Sequence, residues 1–207
     1  MKKYKYILFT SGRGPIECSL AVHGIQKRFR RFLETKELKY SIIQQSLGDV
    51  KQSLDTIVFK VESNDFMNEW IGTLQWVCTS PIRKFSKRKN WFVKSCEVFK
   101  SDEKKLEKGD VEIQSYKASG PGGQHRNKVE TAIRVIHRSS GLMVTASESR
   151  SKIQNLNLAM RKLEAKLSEE NSKRESEFNT QEWLSKLTIE RGNPKKVFYG
   201  LKFDRKE

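Results

Sequence analysis

The stretch Gly122-Gly123-Gln124-His125-Arg126-Asn127-Lys128 holds the residues of this chain whose types and spacing can do chemistry. Two adjacent glycines open backbone angles closed to other residues and leave no Cβ in the way. A main-chain N–H can then reach a reacting atom at hydrogen-bond distance. Gln124 is uncharged near neutral pH and cannot act as a general base. Its amide can position a water, or fill space and restrict what enters. Its backbone N–H can stabilise charge that develops in a transition state, a contribution of about 3 kcal/mol. His125 is the titratable neighbour, and it reads either as a base or as a polar RNA contact or packed ring. Arg126 and Lys128 bring positive charge and Asn127 a polar contact, suited to holding the loop on a phosphate backbone. Composition alone leaves a flexible glycine-rich connector equally open. A Walker phosphate loop is disfavoured, because the Gly-Lys-Ser/Thr ending is absent.

The whole chain shares this electrostatic character. Its 207 residues carry 41 Lys+Arg against 25 Asp+Glu, a formal charge of +16. Such an excess, gathered in clusters, points to an acidic extended partner: nucleic acid first, an anionic membrane surface second. No apolar run approaches the roughly 20 residues that span a bilayer. The apolar stretch of the N-terminus, Tyr6 to Phe9, is too short for a secretory signal and reads as a first strand. Cys18, Cys78 and Cys96 are scattered, as are His23, His125 and His137, and they match no zinc pattern. A reduced cytoplasmic monomer with no metal and no cofactor is expected.

The elements that must position the glycine stretch follow from pattern. Tyr4 to Thr10 is β-prone and ends at Ser11-Gly12-Arg13-Gly14; Pro15 opens a helix to Glu37. That helix carries Lys27, Arg28, Arg30 and Arg31 on one face, either a solvated stripe or an RNA contact. Strands are expected at Tyr40 to Gln44, Asp55 to Val61, Leu74 to Cys78 and Trp91 to Phe99, with a short helix from Asn64 or Asp65 to Trp70. The basic loop Thr79 to Asn90 joins the last two strands. Lys104 to Asp110 is a charged linker, and Val111 to Tyr116 leads into the glycines. Ala132 to His137 and Leu142 to Ala146 form a hairpin around Ser139-Ser140-Gly141. A long helix runs from Arg150 to about Leu187, its seam marked by Ile153, Leu156, Met160, Leu163 and Leu167. Ser168 to Asn179 offers no such seam and is expected to fray or bend. Gly192-Asn193-Pro194 breaks the helix, and Val197 to Phe203 is a last strand.

With these residues in view, Ser119 to Asn155 closely resembles the catalytic domain of bacterial class I peptide chain release factors. The likeness rests on Gly-Gly-Gln, then His-x-Asn-Lys, then the Ser140-Gly141 hairpin, then Arg150-Ser151 opening a helix. The resemblance implies that Gly122, Gly123 and Gln124 enter the peptidyl transferase centre and promote hydrolysis of the peptidyl-tRNA ester. It also implies that Gln124 is a methylation target. Ser149 departs from the family, which usually carries Glu there; altered local RNA contact is expected. The first hundred residues are more faintly similar to the family's codon-recognition domain. Ser80-Pro81-Ile82 stands where a Ser-Pro-Phe reading tripeptide would be, and Lys87-Arg88-Lys89-Asn90-Trp91 replaces the pattern that follows it. Ordinary stop-codon reading is therefore not expected. Lys84, Lys87, Arg88, Lys89 and Arg150 are taken as RNA contacts, with Trp91 or Phe92, on opposite strand faces, stacking on a base. The family's separate N-terminal helical domain has no counterpart before Tyr4.

The pattern is most similar to a compact branch, the release factor homologues H. That likeness implies rescue of stalled ribosomes, including ones with damaged decoding RNA, and a functional link to an RNA-repair ligase. The implied partners are both ribosomal centres (peptidyl transfer and decoding), ribosomal RNA and peptidyl-tRNA. The expected fold is α/β (α+β). A codon-domain-type mixed sheet with helices would span 1–108 and take back a strand from 192–207. A small inserted catalytic domain with the long helix would span 109–190. The loop Ala118 to Asn127 is expected to be disordered away from the ribosome.

Overall fold

Strand β1 (Tyr4–Thr10) lies inside a sheet, so both of its faces are apolar: Ile7 and Phe9 point one way, Tyr6 and Leu8 the other. The computed structural model describes residues 4–100, 104–107, 109–118 and 129–205. It is a mixed α/β protein that divides into two units, 1–100 with 177–207, and 101–176.

The first unit is built on a six-stranded sheet in the order β2-β3-β1-β5-β4-β9. Its other strands are β2 (Tyr40–Leu47), β3 (Leu54–Glu62), β4 (Gly72–Val77), β5 (Asn90–Val98) and β9 (Lys196–Tyr199). All neighbours pair antiparallel except β4 and β9, which run parallel with Leu74 opposite Lys196. Helix α1 (Ile16–Thr35) covers one face. It has Ala21, Val22, Ile25, Phe29 and Leu33 fully buried, at the spacing of one helical stripe. Phe29 meets Phe9, Phe59 and Trp70, with ring centroids 5.0, 5.3 and 5.0 Å away. The last strand ends earlier than expected: a turn with Gly200 at φ +64° reverses the chain, and Tyr199 pairs back with Asp204.

The second unit is a three-stranded antiparallel sheet, β6 (Val111–Tyr116), β7 (Ala132–His137) and β8 (Met143–Ala146), covered by the first part of helix α2 (Lys152–Leu187). Ile133, Val135, Val144 and Ala146 pack on Ala159, Leu163 and Leu167. Ile153, expected in this seam, is 71% exposed instead, and Ala159 takes the inward place. The charged segment before β6 is docked, not free. Asn171 accepts from the Lys104 backbone N–H at 3.2 Å and donates to its carbonyl at 3.0 Å.

Ser168 to Asn179 does not break α2. The one apolar side chain of that stretch, Phe178, is 2% exposed and belongs to the first unit. It packs with Tyr6, Leu8, Val58 and Val98 on the sheet face that α1 leaves open. For this reason the first unit takes the chain back at Glu177, well before residue 192.

Candidate nucleic-acid interface

The loop between β4 and β5 is anchored at its base. Glu17, in the first turn of α1, has a fully buried side chain. Its Oε1 accepts from Arg83 Nε and from Ser80 Oγ, both at 2.6 Å, and its Oε2 from Arg83 Nη2 at 2.7 Å. Ser80 Oγ in turn accepts from the backbone N–H of Arg83 at 2.8 Å. Burial pushes the Glu17 carboxyl up, but the Arg83 and Ser80 hydrogen bonds outweigh it and hold the group below the ordinary carboxylate value. The loop thus leaves the sheet from a charged, bidentate clasp.

Trp91 corrects the expectation of base stacking. Its ring is fully buried, and Nε1 donates to the Cys78 carbonyl at 2.9 Å. The guanidinium groups of Arg83 and Arg88 lie 5.7 and 5.0 Å from its centroid, so the indole is a platform inside the protein. Sequence reasoning passed over Phe85, which is 99% exposed and flanked by exposed Lys84, Lys87, Arg88 and Lys89. A full-size aromatic ring held in water among four cations is the arrangement that meets a base and its phosphates. The signal was present: an aromatic inside a Lys/Arg run that belongs to no strand. Arg88 also borders a cavity of about 110 Å³ with Arg13, Lys186 and Arg191, where four cationic side chains meet.

In the second unit the structure describes the two shoulders of the glycine stretch. Gly122, Gly123, Gln124, His125, Arg126, Asn127 and Lys128 lie outside the described residues, as does the expectation of disorder there. Beyond them, Asn155 ties the chain leaving that stretch to the start of α2. Its side chain is fully buried. Nδ2 donates to the carbonyls of Thr131 and Ser149 at 2.7 and 2.8 Å, and Oδ1 accepts from the Ser149 N–H at 2.8 Å. Ser149 Oγ accepts from the Ser151 N–H at 3.1 Å, and Ser151 Oγ, just before the first helical residue, accepts from the Gln154 N–H at 3.5 Å and caps the helix start. Arg150 beside it is exposed. Asn155 closes the sequence pattern yet shows no role there, because its partners are backbone groups.

A Ser-His-Asp grouping also occurs here. His137 Nε2 lies 2.9 Å from Asp110 Oδ2, and Nδ1 lies 2.6 Å from Ser140 Oγ. The histidine is fully buried, and Ser140 Oγ accepts from the Leu142 N–H at 3.2 Å. The group closes the β7–β8 turn and does not present a nucleophile. Burial raises the Cys18 and Cys78 thiols above their ordinary value, so neither is a reactive thiolate. Among the described residues no His, Cys, Asp or Glu cluster could hold a metal, and no helix is long and apolar enough to cross a membrane.

Three comparisons bear on this geometry. A family described as the RF-1 domain matches residues 100–202. A peptide chain release factor homolog of Escherichia coli is 31% identical over 94% of this chain and 96% of its own length. Peptide chain release factor 2 of Haemophilus influenzae is 31% identical over 79% of this chain but 46% of its own length. The release factor 2 of Staphylococcus aureus is 27% identical over 91% and 51% respectively, so the chain spans about half of these longer relatives. Among solved structures, RF2 of Thermus thermophilus is 26% identical, covering 96% of this chain and 58% of that one, with a TM-score of 0.46.

Proposed function

The chain belongs to the peptide chain release factor family, and on that premise we propose that it hydrolyses the ester of peptidyl-tRNA on the ribosome. The observation that carries this reading is Gly122-Gly123-Gln124 followed by His125-Arg126-Asn127-Lys128, inside the matched residues 100–202. Water attacks the ester carbonyl carbon. The bond to the ribose oxygen breaks, that oxygen takes up a proton, and the peptide leaves as a carboxylic acid. The main-chain N–H of Gln124 donates to the oxygen on which charge develops. The neutral side-chain amide admits water without acting as a base. Arg126, Lys128 and exposed Arg150 hold the loop to ribosomal RNA, with Asn127 and His125 as polar contacts. Gln124 is also the residue open to methylation.

The finer reading is rescue of stalled ribosomes without ordinary stop-codon decoding. It is supported by the engagement of the Ser80 hydroxyl and Arg83 with Glu17, and by Ile82 in the place of an aromatic reader. The loop is left with Lys84, Phe85, Lys87, Arg88 and Lys89 facing outward, a set suited to phosphates and an unpaired base. The small-subunit decoding centre is its proposed partner, with ribosomes of damaged decoding RNA among the substrates and an RNA-repair ligase as a functional companion.

The test is peptide release from stalled complexes with a stop codon, a sense codon, no codon, or a cleaved decoding centre. Gln124→Pro, which removes the main-chain N–H, and Gly123→Ala, which restricts the backbone that presents it, are expected to lower release by two to three decades while binding persists. Release that is unaffected by both substitutions would overturn the hydrolase reading. Release only at stop codons would overturn rescue and leave hydrolysis standing.

A further inference from the structure

Strand β2 ends the six-stranded sheet, and its composition is unlike the rest of the chain. Charged residues make up 32% of the sequence, yet the stretch YSIIQQSL, Tyr40–Leu47, contains none. Edge strands ordinarily carry charge or proline, or a cover, that turns other strands away. The opposite edge is short and covered: β9 has four residues, and Tyr199 at its end pairs back with Asp204. Along β2 only Tyr40 and Gln44 are partly covered. Ile42 and Ile43 are exposed, and Leu47 is 73% exposed.

The backbone of this edge is self-complementary. The Lys39 carbonyl accepts from the Glu62 N–H at 2.9 Å, and the Gly48 N–H donates to the Ser53 carbonyl at 3.2 Å, so both residues turn inward to β3. The direction of the N–H and C=O groups alternates along an antiparallel strand. Counted from the first end, Tyr40 and Ile42 direct theirs outward; counted from the second, Leu47 and Gln45 do. The two counts differ by one residue, and the bulge at Ile43, between the pairs Ile42–Phe59 and Gln44–Val58, absorbs the difference. The outward set 40, 42, 45 and 47 is therefore symmetric about the point between Ile43 and Gln44. The side chains keep the same symmetry. Tyr40 is fixed on the α1 face, its hydroxyl donating to Glu34 Oε1 at 3.0 Å and accepting from Arg30 Nε at 3.2 Å. Gln44 is on the other face, donating to Glu182 Oε2 at 3.1 Å.

We propose that β2 pairs antiparallel with β2 of a second copy of this chain, about a two-fold axis between Ile43 and Gln44, joining two six-stranded sheets into one. In that register Tyr40 lies opposite Leu47 of the second copy, Ser41 opposite Ser46 and Ile42 opposite Gln45. Leu47 gains the Tyr40 ring as cover, and the serines can bond to each other. Charge fits at both ends. Lys39 and Asp49 are exposed and have no ion-pair partner among the described residues. Pairing brings Lys39 of each copy to within one residue of Asp49 of the other. This differs from the monomer expected on sequence. It uses no residue assigned to ester hydrolysis or RNA contact, so it stands or falls independently of them.

The test is sedimentation equilibrium of the full-length, nuclease-treated protein over about a hundredfold range of concentration. A monomer–dimer equilibrium is expected, weak because one strand pair is a small interface. It is expected to strengthen with added salt, which screens the repulsion between two copies of charge +16. Association bridged by residual RNA would weaken instead. Ile42→Lys with Gln45→Lys sets like charges across both symmetry-related pairs and is expected to lower dimer affinity about tenfold. Ile42→Lys with Gln45→Glu sets opposite charges across the same pairs and is expected to restore it. Both variants carry the same change at residue 42, so a difference between them reports pairing across the axis and not local damage. A monomer at every concentration and salt, association that falls as salt rises, or two variants that associate alike would overturn the proposal.

Discussion

Asn155 makes hydrogen bonds with Thr131, Ser149 and Ser151 from a fully buried position. Asn155→Ala removes the partners of two buried carbonyls and one N–H, at about 1 to 3 kcal/mol each where water cannot replace them. A melting temperature lowered by several degrees is expected, with release reduced in proportion to folded protein. Phe85→Ala is the opposite case. Its ring touches solvent, so stability is expected to hold while RNA affinity falls about tenfold. Equal affinity of the variant would remove Phe85 from the interface. Glu17 has a lowered pKa, so the stability its clasp contributes is complete above the ordinary carboxylate value, about 4.3. That stability is lost as the pH falls through the lower folded value. Glu17→Gln is therefore expected to lower stability at neutral pH and to flatten the acid limb of an unfolding curve, which a pH series of urea midpoints would measure.

At the scale of elements, the pattern of apolar residues predicted every strand and both long helices, with ends shifted by a few residues. It could not tell which strand aromatic faces the core. Trp91 and Phe92 alternate, and it is Trp91 that lies inward, in the core under α1 with Nε1 on the Cys78 carbonyl. Nor could it see Phe178, a single apolar residue in a charged stretch whose partners come from β1, β3 and β5. The glycine stretch was legible as chemistry because its residue types are rare in combination. Asn155 was not, since it pairs only with backbone; Phe85 shows no periodicity, and its one signal is its place inside a Lys/Arg run. Phe178→Ala is expected to cost about 3 kcal/mol by opening a cavity on the second face of the sheet. Hydrogen exchange in β1 and the last turns of α2 would rise together, whereas α1, on the other face, would be affected less.

For the molecule as a whole, a charge of +16 makes binding to RNA steeply salt-dependent. Neutralising Lys87, Arg88 and Lys89 together is expected to reduce the salt slope by about 0.7 to 0.9 log unit for each phosphate that no longer meets a cation. A slope equal to that of the unaltered protein would show that this loop does not touch RNA.

Strand β9 joins the sheet in parallel beside β4, yet about a hundred residues separate β5 from it in the chain. During vectorial synthesis the first five strands emerge well before the sixth. Until then β4 presents bare N–H and C=O groups to any passing strand, the open flank from which sheets aggregate. A truncation ending at Arg191 would keep that flank permanently uncovered. Such a chain should accumulate in inclusion bodies even though every residue of the glycine stretch is present.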